Sequence, residues 1–94
     1  MDRMLFTVED TFLLKDRGMV LVPGIGPEDR IRVGDPLTLK RPDDTRLRTV
    51  ISGIEMNTPN PRRTYPLLIR ELSKEDVPIG TEVWSASPDR GERK

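Results

Sequence analysis

Cysteine and histidine are both absent from this chain of 94 residues. Without cysteine, the chain cannot form a disulfide, use a catalytic thiolate or bind zinc through sulfur. Without histidine, it lacks the commonest general base and the commonest metal ligand. No spacing among the remaining carboxylates and hydroxyls suggests a reaction. We therefore expect a protein that is not an enzyme and that has no metal site and no cofactor.

An excess of charge of one sign and long apolar runs are also missing. Sixteen basic residues balance sixteen acidic ones, so any contact with nucleic acid would have to be local. The longest aliphatic run, residues 19–22, is far too short to cross a bilayer. Glu9 and Asp10 fall where a signal peptide would need apolar residues. These features predict a cytoplasmic protein with no membrane partner.

Short strand-forming runs separated by turn residues dominate the chain, and nine prolines are scattered through it. Several short strands at intervals of about 8–12 residues predict one all-β domain. Because closure removes exposed sheet edges, we expect a small closed barrel of six or seven strands over residues 4–86. The longest strand is predicted at 47–56, a single helical turn after Ser73, and a flexible polar tail at 87–94.

The apolar residues of these runs give the predicted core. It consists of Leu5, Phe12, Val20, Val33, Leu37, Leu39, Ile51, Ile54, Leu68, Leu72 and Val83. The only tryptophan, Trp84, has two interpretations. It packs in the core, or it stacks against a nucleic-acid base.

Four stretches of the chain, in order, resemble a known family. Residues 8–24 contain Glu-Asp, an aromatic residue two positions later, and then Arg-Gly; residues 31–35 read Ile-Arg-Val-Gly-Asp. Residues 52–56 read Ser-Gly-Ile-Glu-Met, and residues 68–81 begin Leu-Ile-Arg-Glu-Leu. Together they resemble the second domain of elongation factor Tu and related translation GTPases, over about residues 5–86. The resemblance implies a barrel of the translation-factor domain II type.

The nucleotide-binding part of that family is not present. The chain has no Gly-x-x-x-x-Gly-Lys-Ser/Thr loop to hold phosphates. We therefore expect neither binding nor hydrolysis of GTP, and no nucleotide ligand.

The resemblance also implies a binding site. In elongation factor Tu the corresponding barrel receives the 3′-terminal adenosine of aminoacyl-tRNA, and Glu9, Asp10, Arg17 and Glu55 occupy matching positions. A carboxylate such as Glu55 can accept a hydrogen bond from a ribose hydroxyl, and Arg17 can contact a phosphate. The alternative is structural: Arg17 pairs with Glu9 or Asp10 across the first hairpin.

Two functions remain open at this point. The first is a non-catalytic binding module that contacts a tRNA acceptor end, ribosomal RNA or a translation partner. The second is a protein-interaction scaffold without RNA binding. Its contact would be the loop 57–65, which departs from the family pattern and brings Arg62 and Arg63 close to Tyr65.

Overall fold

The computed structural model describes residues 3–56 and 63–86, which form an all-β domain of eight strands. The strands are β1 (Met4–Thr7), β2 (Asp10–Leu14), β3 (Gly18–Ile25), β4 (Pro36–Lys40), β5 (Arg46–Val50), β6 (Gly53–Ile54), β7 (Tyr65–Ile69) and β8 (Glu82–Ser85). One short 3-10 helix, Lys74–Asp76, follows β7. The predicted tail at 87–94 and residues 57–62 of the predicted contact loop lie outside the described residues.

The strands form two antiparallel sheets of four strands each. The first sheet has the order β1-β8-β4-β5, and the second has the order β2-β3-β7-β6. Tight turns join β2 to β3 and β4 to β5, and each includes an aspartate in the left-handed conformation, Asp16 with φ 66° and Asp44 with φ 72°. Aspartate tolerates this conformation better than most residues, which explains why the chain reverses there.

The chain passes from the first sheet to the second at two corners. Between β1 and β2, the Val8 N–H donates to the Thr81 carbonyl at 2.8 Å, and the Glu9 N–H donates to the Val22 carbonyl at 2.9 Å. Between β5 and β6, the Ile51 N–H donates to the Asp35 carbonyl at 3.0 Å, and the next N–H donates into the second sheet. Successive residues at each corner therefore bond to different sheets.

The corners and the two sheets can be compared with the predicted closed barrel. The all-β class is confirmed, and two antiparallel four-stranded sheets are compatible with a β-sandwich or a barrel-like fold. A closed barrel of six or seven strands is wrong, because eight strands form two separate sheets. The predicted longest strand at 47–56 is wrong for the same reason: the corner at Ile51 divides it into β5 and β6, and β3 is the longest strand.

The core lies between the two sheets. It consists of Phe6, Val8, Met19, Leu21, Ile25, Leu37, Leu39, Ile51, Leu67, Ile69, Val77 and Val83. The predicted core residues Leu37, Leu39, Ile51 and Val83 are confirmed by this cluster, and Leu5, Ile54 and Leu72 pack partly against it.

Part of the predicted core is wrong. Phe12 is 50% exposed and Val33 is 59% exposed. Val20 and Leu68 are buried as predicted, but they lie on the other face of the second sheet from Met19, Leu21 and Ile25, which enter the core cluster. Because β3 is apolar on both faces, the sequence does not show by alternation which of its faces lies between the two sheets.

The 3-10 helix is tied at both ends. The backbone N–H and the hydroxyl of Ser73 both donate to Oδ2 of Asp76, at 2.9 and 3.1 Å, which confirms the predicted helical turn after Ser73. Arg41, at the end of β4, donates from Nε to the Asp76 carbonyl at 2.8 Å. The helix is therefore attached to the β4–β5 hairpin. In the described part of the chain, no helix is long and apolar enough to span a membrane.

Candidate functional site

The outer face of the second sheet carries a row of small and apolar residues. Phe12 lies opposite Val20, Val20 opposite Leu68, and Leu68 opposite Gly53, so one residue of each strand contributes. Val20 and Leu68 are only 7% and 4% exposed, yet neither belongs to the core cluster. We call these four residues the apolar row. It lies on the side of the sheet that faces away from the core cluster, and its exposed apolar group is the ring of Phe12.

A carboxylate stands beside this row. Glu55 comes two positions after Gly53, and its N–H donates to the Pro66 carbonyl at 2.9 Å, which continues the pairing of β6 with β7. Because side chains alternate along an extended chain, Glu55 lies on the same face as the apolar row. Its side chain is 25% exposed.

Arg17 contacts the same carboxylate from the other half of the second sheet, which β2 and β3 form. Its Nη2 lies 3.0 Å from Oε2 of Glu55, although Arg17 belongs to the β2–β3 turn and Glu55 follows β6. The two residues are therefore separated by β3 and β7, and their ion pair crosses the outer face of the second sheet. Arg17 remains 56% exposed.

The backbone of the β2–β3 turn brings Arg17 to this position. The Arg17 N–H donates to the Leu14 carbonyl at 3.0 Å, which closes the turn. Gly18 follows with φ 131°, and a Cβ at this position would lie 2.7 Å from both the Arg70 Cα and the Ile69 carbonyl oxygen. Only glycine allows this close approach of the turn to β7. Arg17 and Arg70 are consequently held near each other.

Arg70 is a site residue that sequence reasoning missed. It is exposed, and its N–H donates to Oγ of Ser52 at 2.9 Å. Together with Leu14, Arg17 and Gly18 it lines a recess of about 340 Å³ beside the turn. A signal was present, because Arg70 comes two positions after Leu68 in one of the four resembling stretches and therefore faces outward with it.

Glu9 and Asp10 do not join this site. Asp10 lies opposite Val22, whereas Leu14 lies opposite Gly18 at the other end of the hairpin. Four residues of strand separate the two ends, or about 13 Å. The predicted pairing of Arg17 with Glu9 or Asp10 is therefore replaced by the ion pair with Glu55, while Oδ1 of Asp10 accepts the Thr11 N–H at 2.8 Å.

The second predicted contact falls largely outside the described residues. Arg62 lies outside the described residues, and Arg63 is exposed with φ 56°. Tyr65 pairs with Ile25 and packs partly against the core. Tyr65 therefore contributes to packing, and its place in a partner contact stays a prediction.

The chemistry available on the second sheet is recognition by charge, hydrogen bonding and apolar contact. Within residues 3–56 and 63–86, no group of three or more carboxylates is placed to hold a metal ion. No family model, no curated protein and no solved structure matches this chain. The functional proposal therefore depends on the residues of the site and on the four resembling stretches.

Proposed function

We propose that this chain is a non-catalytic, cytoplasmic RNA-binding module of the translation-factor domain II type. Its ligand is the 3′-terminal nucleoside of an RNA such as a tRNA acceptor end, received on the outer face of the second sheet. The observation that carries the proposal is the Arg17–Glu55 ion pair beside the apolar row. It combines a carboxylate, a cation and an apolar surface at one place.

Glu55 supplies the contact that distinguishes RNA from DNA. An ionised carboxylate has about four acceptor positions. Arg17 uses one of them, on Oε2. Among the described residues no donor occupies Oε1 of Glu55, so this oxygen can accept the hydroxyl of a terminal ribose.

One residue of the apolar row supplies the surface for the base. Val20 and Leu68 are almost fully covered, and the Leu68 side chain lies over Gly53, where a Cβ would come within 3.3 Å of it. The exposed apolar group of the row is therefore the ring of Phe12, which a base can contact. Phe12, half exposed at the end of the row, can stack against the edge or face of that base.

Arg17 and Arg70 supply the contact with phosphate. A guanidinium has five N–H donors, and Arg17 uses only Nη2 in its contact with Glu55. The remaining donors of Arg17 and the exposed Arg70 flank the same recess. Two arginines that line one recess suit bidentate contacts with a phosphate group.

The test compares two RNA minihelices that differ only at the 3′ end. One carries a terminal ribose with both hydroxyls, and the other carries a 2′,3′-dideoxy sugar. A hydrogen bond to a charged group contributes about 1.5–3 kcal/mol, so loss of the hydroxyls should weaken binding roughly ten- to a hundredfold. In the Glu55→Ala variant the two RNAs should bind equally and weakly.

Glu75→Ala provides the matched control, because Glu75 is an exposed acid on the 3-10 helix. This variant should retain the discrimination between the two RNAs. Equal affinity of the wild-type chain for both RNAs, or no affinity at low salt, would overturn the proposal.

A protein-interaction scaffold is the second candidate, and one observation favours it. Phe12 and Leu13 are adjacent on β2 and are 50% and 65% exposed. β2 is an edge strand of the second sheet, and exposed apolar edges are common sites for partner proteins. A photo-reactive residue at position 13 should then cross-link to one defined protein in cells, whereas the same residue at position 75 should not.

A further inference from the structure

The outer face of the first sheet carries a different set of side chains. The pairing of the strands places Met4, Trp84, Thr38 and Arg48 in one row across β1, β8, β4 and β5. A second row runs from Glu82 through Lys40 to Arg46. The alternate residues Leu37, Leu39 and Val83 point into the core, so both rows face away from it.

Trp84 is placed on this surface instead of in the core. It is half-buried and is not a member of the core cluster, which contradicts its interpretation as a core residue. Its indole Nε1–H donates to Oε1 of Glu82 at 2.9 Å. This hydrogen bond satisfies the single polar group of the ring and fixes the orientation of the ring.

A recess of about 350 Å³ lies next to the ring and is lined by Thr38, Lys40, Arg46 and Trp84. This volume is within the range of sites that bind small molecules or single nucleotides. The recess therefore offers one aromatic side chain, one hydroxyl and two cations to the same ligand.

The charge of this face is positive although the chain as a whole is neutral. The two cations that line the recess, Lys40 and Arg46, share these rows with a single acid, Glu82, whose carboxylate is bonded to the indole. Arg46 is exposed and forms no ion pair within the described residues. Lys40 has only a 4.0 Å contact with Asp44, which is 86% exposed. Such pairs contribute little and leave the cation available.

We infer that this face binds single-stranded nucleic acid, with one base stacked on Trp84 and the neighbouring phosphates contacted by Arg46 and Lys40. Proteins that bind single strands combine aromatic side chains with cations along the backbone path. Neighbouring strands are about 4.8 Å apart, so the Arg46 backbone lies about 10 Å from β8, within reach of a phosphate beside the stacked base. This face lies on the other sheet from the Arg17–Glu55 pair, so the inference does not depend on the proposed function.

The experiment uses the intact chain and its own fluorescence. Because Trp84 is the only tryptophan, its emission reports directly on the ring. The ligands are short pyrimidine oligonucleotides of RNA and of DNA, blocked by a 3′-phosphate so that no free terminal ribose is present. Saturable quenching is expected with both, since neither stacking nor phosphate contact uses the 2′-hydroxyl. The affinity should fall with salt, with a logarithmic slope of about −1.4 for two phosphate contacts.

Variants separate the contribution of base stacking from that of phosphate contact. Binding is measured by the fluorescence anisotropy of a labelled oligonucleotide. Trp84→Ala should weaken binding about 5- to 150-fold, and Trp84→Phe should restore part of it. Arg46→Gln and Lys40→Gln should each reduce the salt slope by about 0.7. Lys15→Gln, on the β2–β3 turn of the second sheet, is the matched control and should change neither affinity nor slope.

Three results would overturn the inference. The first is the absence of saturable quenching by any oligonucleotide at low salt. The second is equal quenching by an oligoglutamate of the same charge, which supplies anions without bases. The third is binding that neither Trp84→Ala nor Arg46→Gln alters, in variants whose circular dichroism shows the native fold.

Discussion

Arg17 and Glu55 form a 3.0 Å ion pair although they are 38 residues apart in the sequence. The pair connects the turn between β2 and β3 with the end of β6, across two intervening strands. It is exposed enough for a ligand to reach both partners. Its structural contribution and its binding contribution can therefore be measured separately.

A double-mutant cycle with Arg17→Ala, Glu55→Ala and the double variant should show a coupling energy below about 1 kcal/mol for folding. More than half of the Arg17 side chain is exposed, and solvent screens the attraction. Urea denaturation at low and high salt provides the measurement, and the coupling should decrease as salt rises. A coupling above about 2 kcal/mol would contradict the view that the pair serves binding more than folding.

Gly18→Ala should destabilise the fold by at least about 2 kcal/mol more than Gly34→Ala. Both glycines have positive φ, 131° and 95°, so both substitutions introduce backbone strain. Only at Gly18 would the new Cβ collide with the backbone of β7, since no atom lies within 4 Å of a Cβ built at Gly34. Thermal unfolding of the two variants gives the comparison, and equal melting temperatures would contradict it.

Phe12→Ala should cost about 1 kcal/mol of folding stability, whereas Leu21→Ala should cost about 2–5 kcal/mol. Phe12 is half exposed on an edge strand, and Leu21 is fully buried between the sheets. Chemical denaturation of both variants tests this difference. A loss at Phe12 as large as that at Leu21 would mean that the ring is covered in solution.

The stability difference between the wild-type chain and Asp76→Asn should be largest above pH 4 and should shrink on acidification. The backbone N–H of Ser73 is the main cause that holds the pKa of Asp76 below its ordinary value of 3.8. A lowered folded-state pKa means that the carboxylate stabilises the fold above the unfolded-state pKa. That contribution is lost as the pH falls through the folded-state pKa.

Melting curves between pH 2 and pH 7, a range chosen at roughly two to three units either side of the ordinary carboxyl pKa, provide the measurement. Glu75→Gln, an exposed residue on the same 3-10 helix, is the control for the removal of one negative charge. A difference between wild type and Asp76→Asn that stays constant over the whole range would contradict the prediction.

Local signals in the sequence were sufficient for the fold class and for one turn. The Ser73 turn was predicted correctly, because helix capping depends on a few neighbouring residues. The corner at Ile51 was not predicted. A change of sheet depends on hydrogen bonds to Asp35 and Leu68, which are distant in the sequence.

For the candidate sites too, individual residues could be identified from the sequence, whereas contacts between distant residues could not. Glu55 and Arg17 were both identified from the resemblance, but their contact was not, since it requires the order of the strands in the second sheet. Trp84 was left with two interpretations, and the choice depends on which residues of β8 face the core. Its basic neighbours come from β4 and β5, more than thirty residues earlier, so no local pattern includes them.

The pairing of β1 with β8 has a consequence for how the protein is made. Met4 lies opposite Trp84, so the first strand finds its partner only when nearly the whole domain has been synthesised. Closing so long a loop is entropically costly, and folds dominated by such distant pairings form slowly. During translation, β1 is made before β8 and has no partner strand in the first sheet until β8 has been made. The first sheet can therefore be completed only after β8, which lies between β1 and β4 and carries Trp84, has been made.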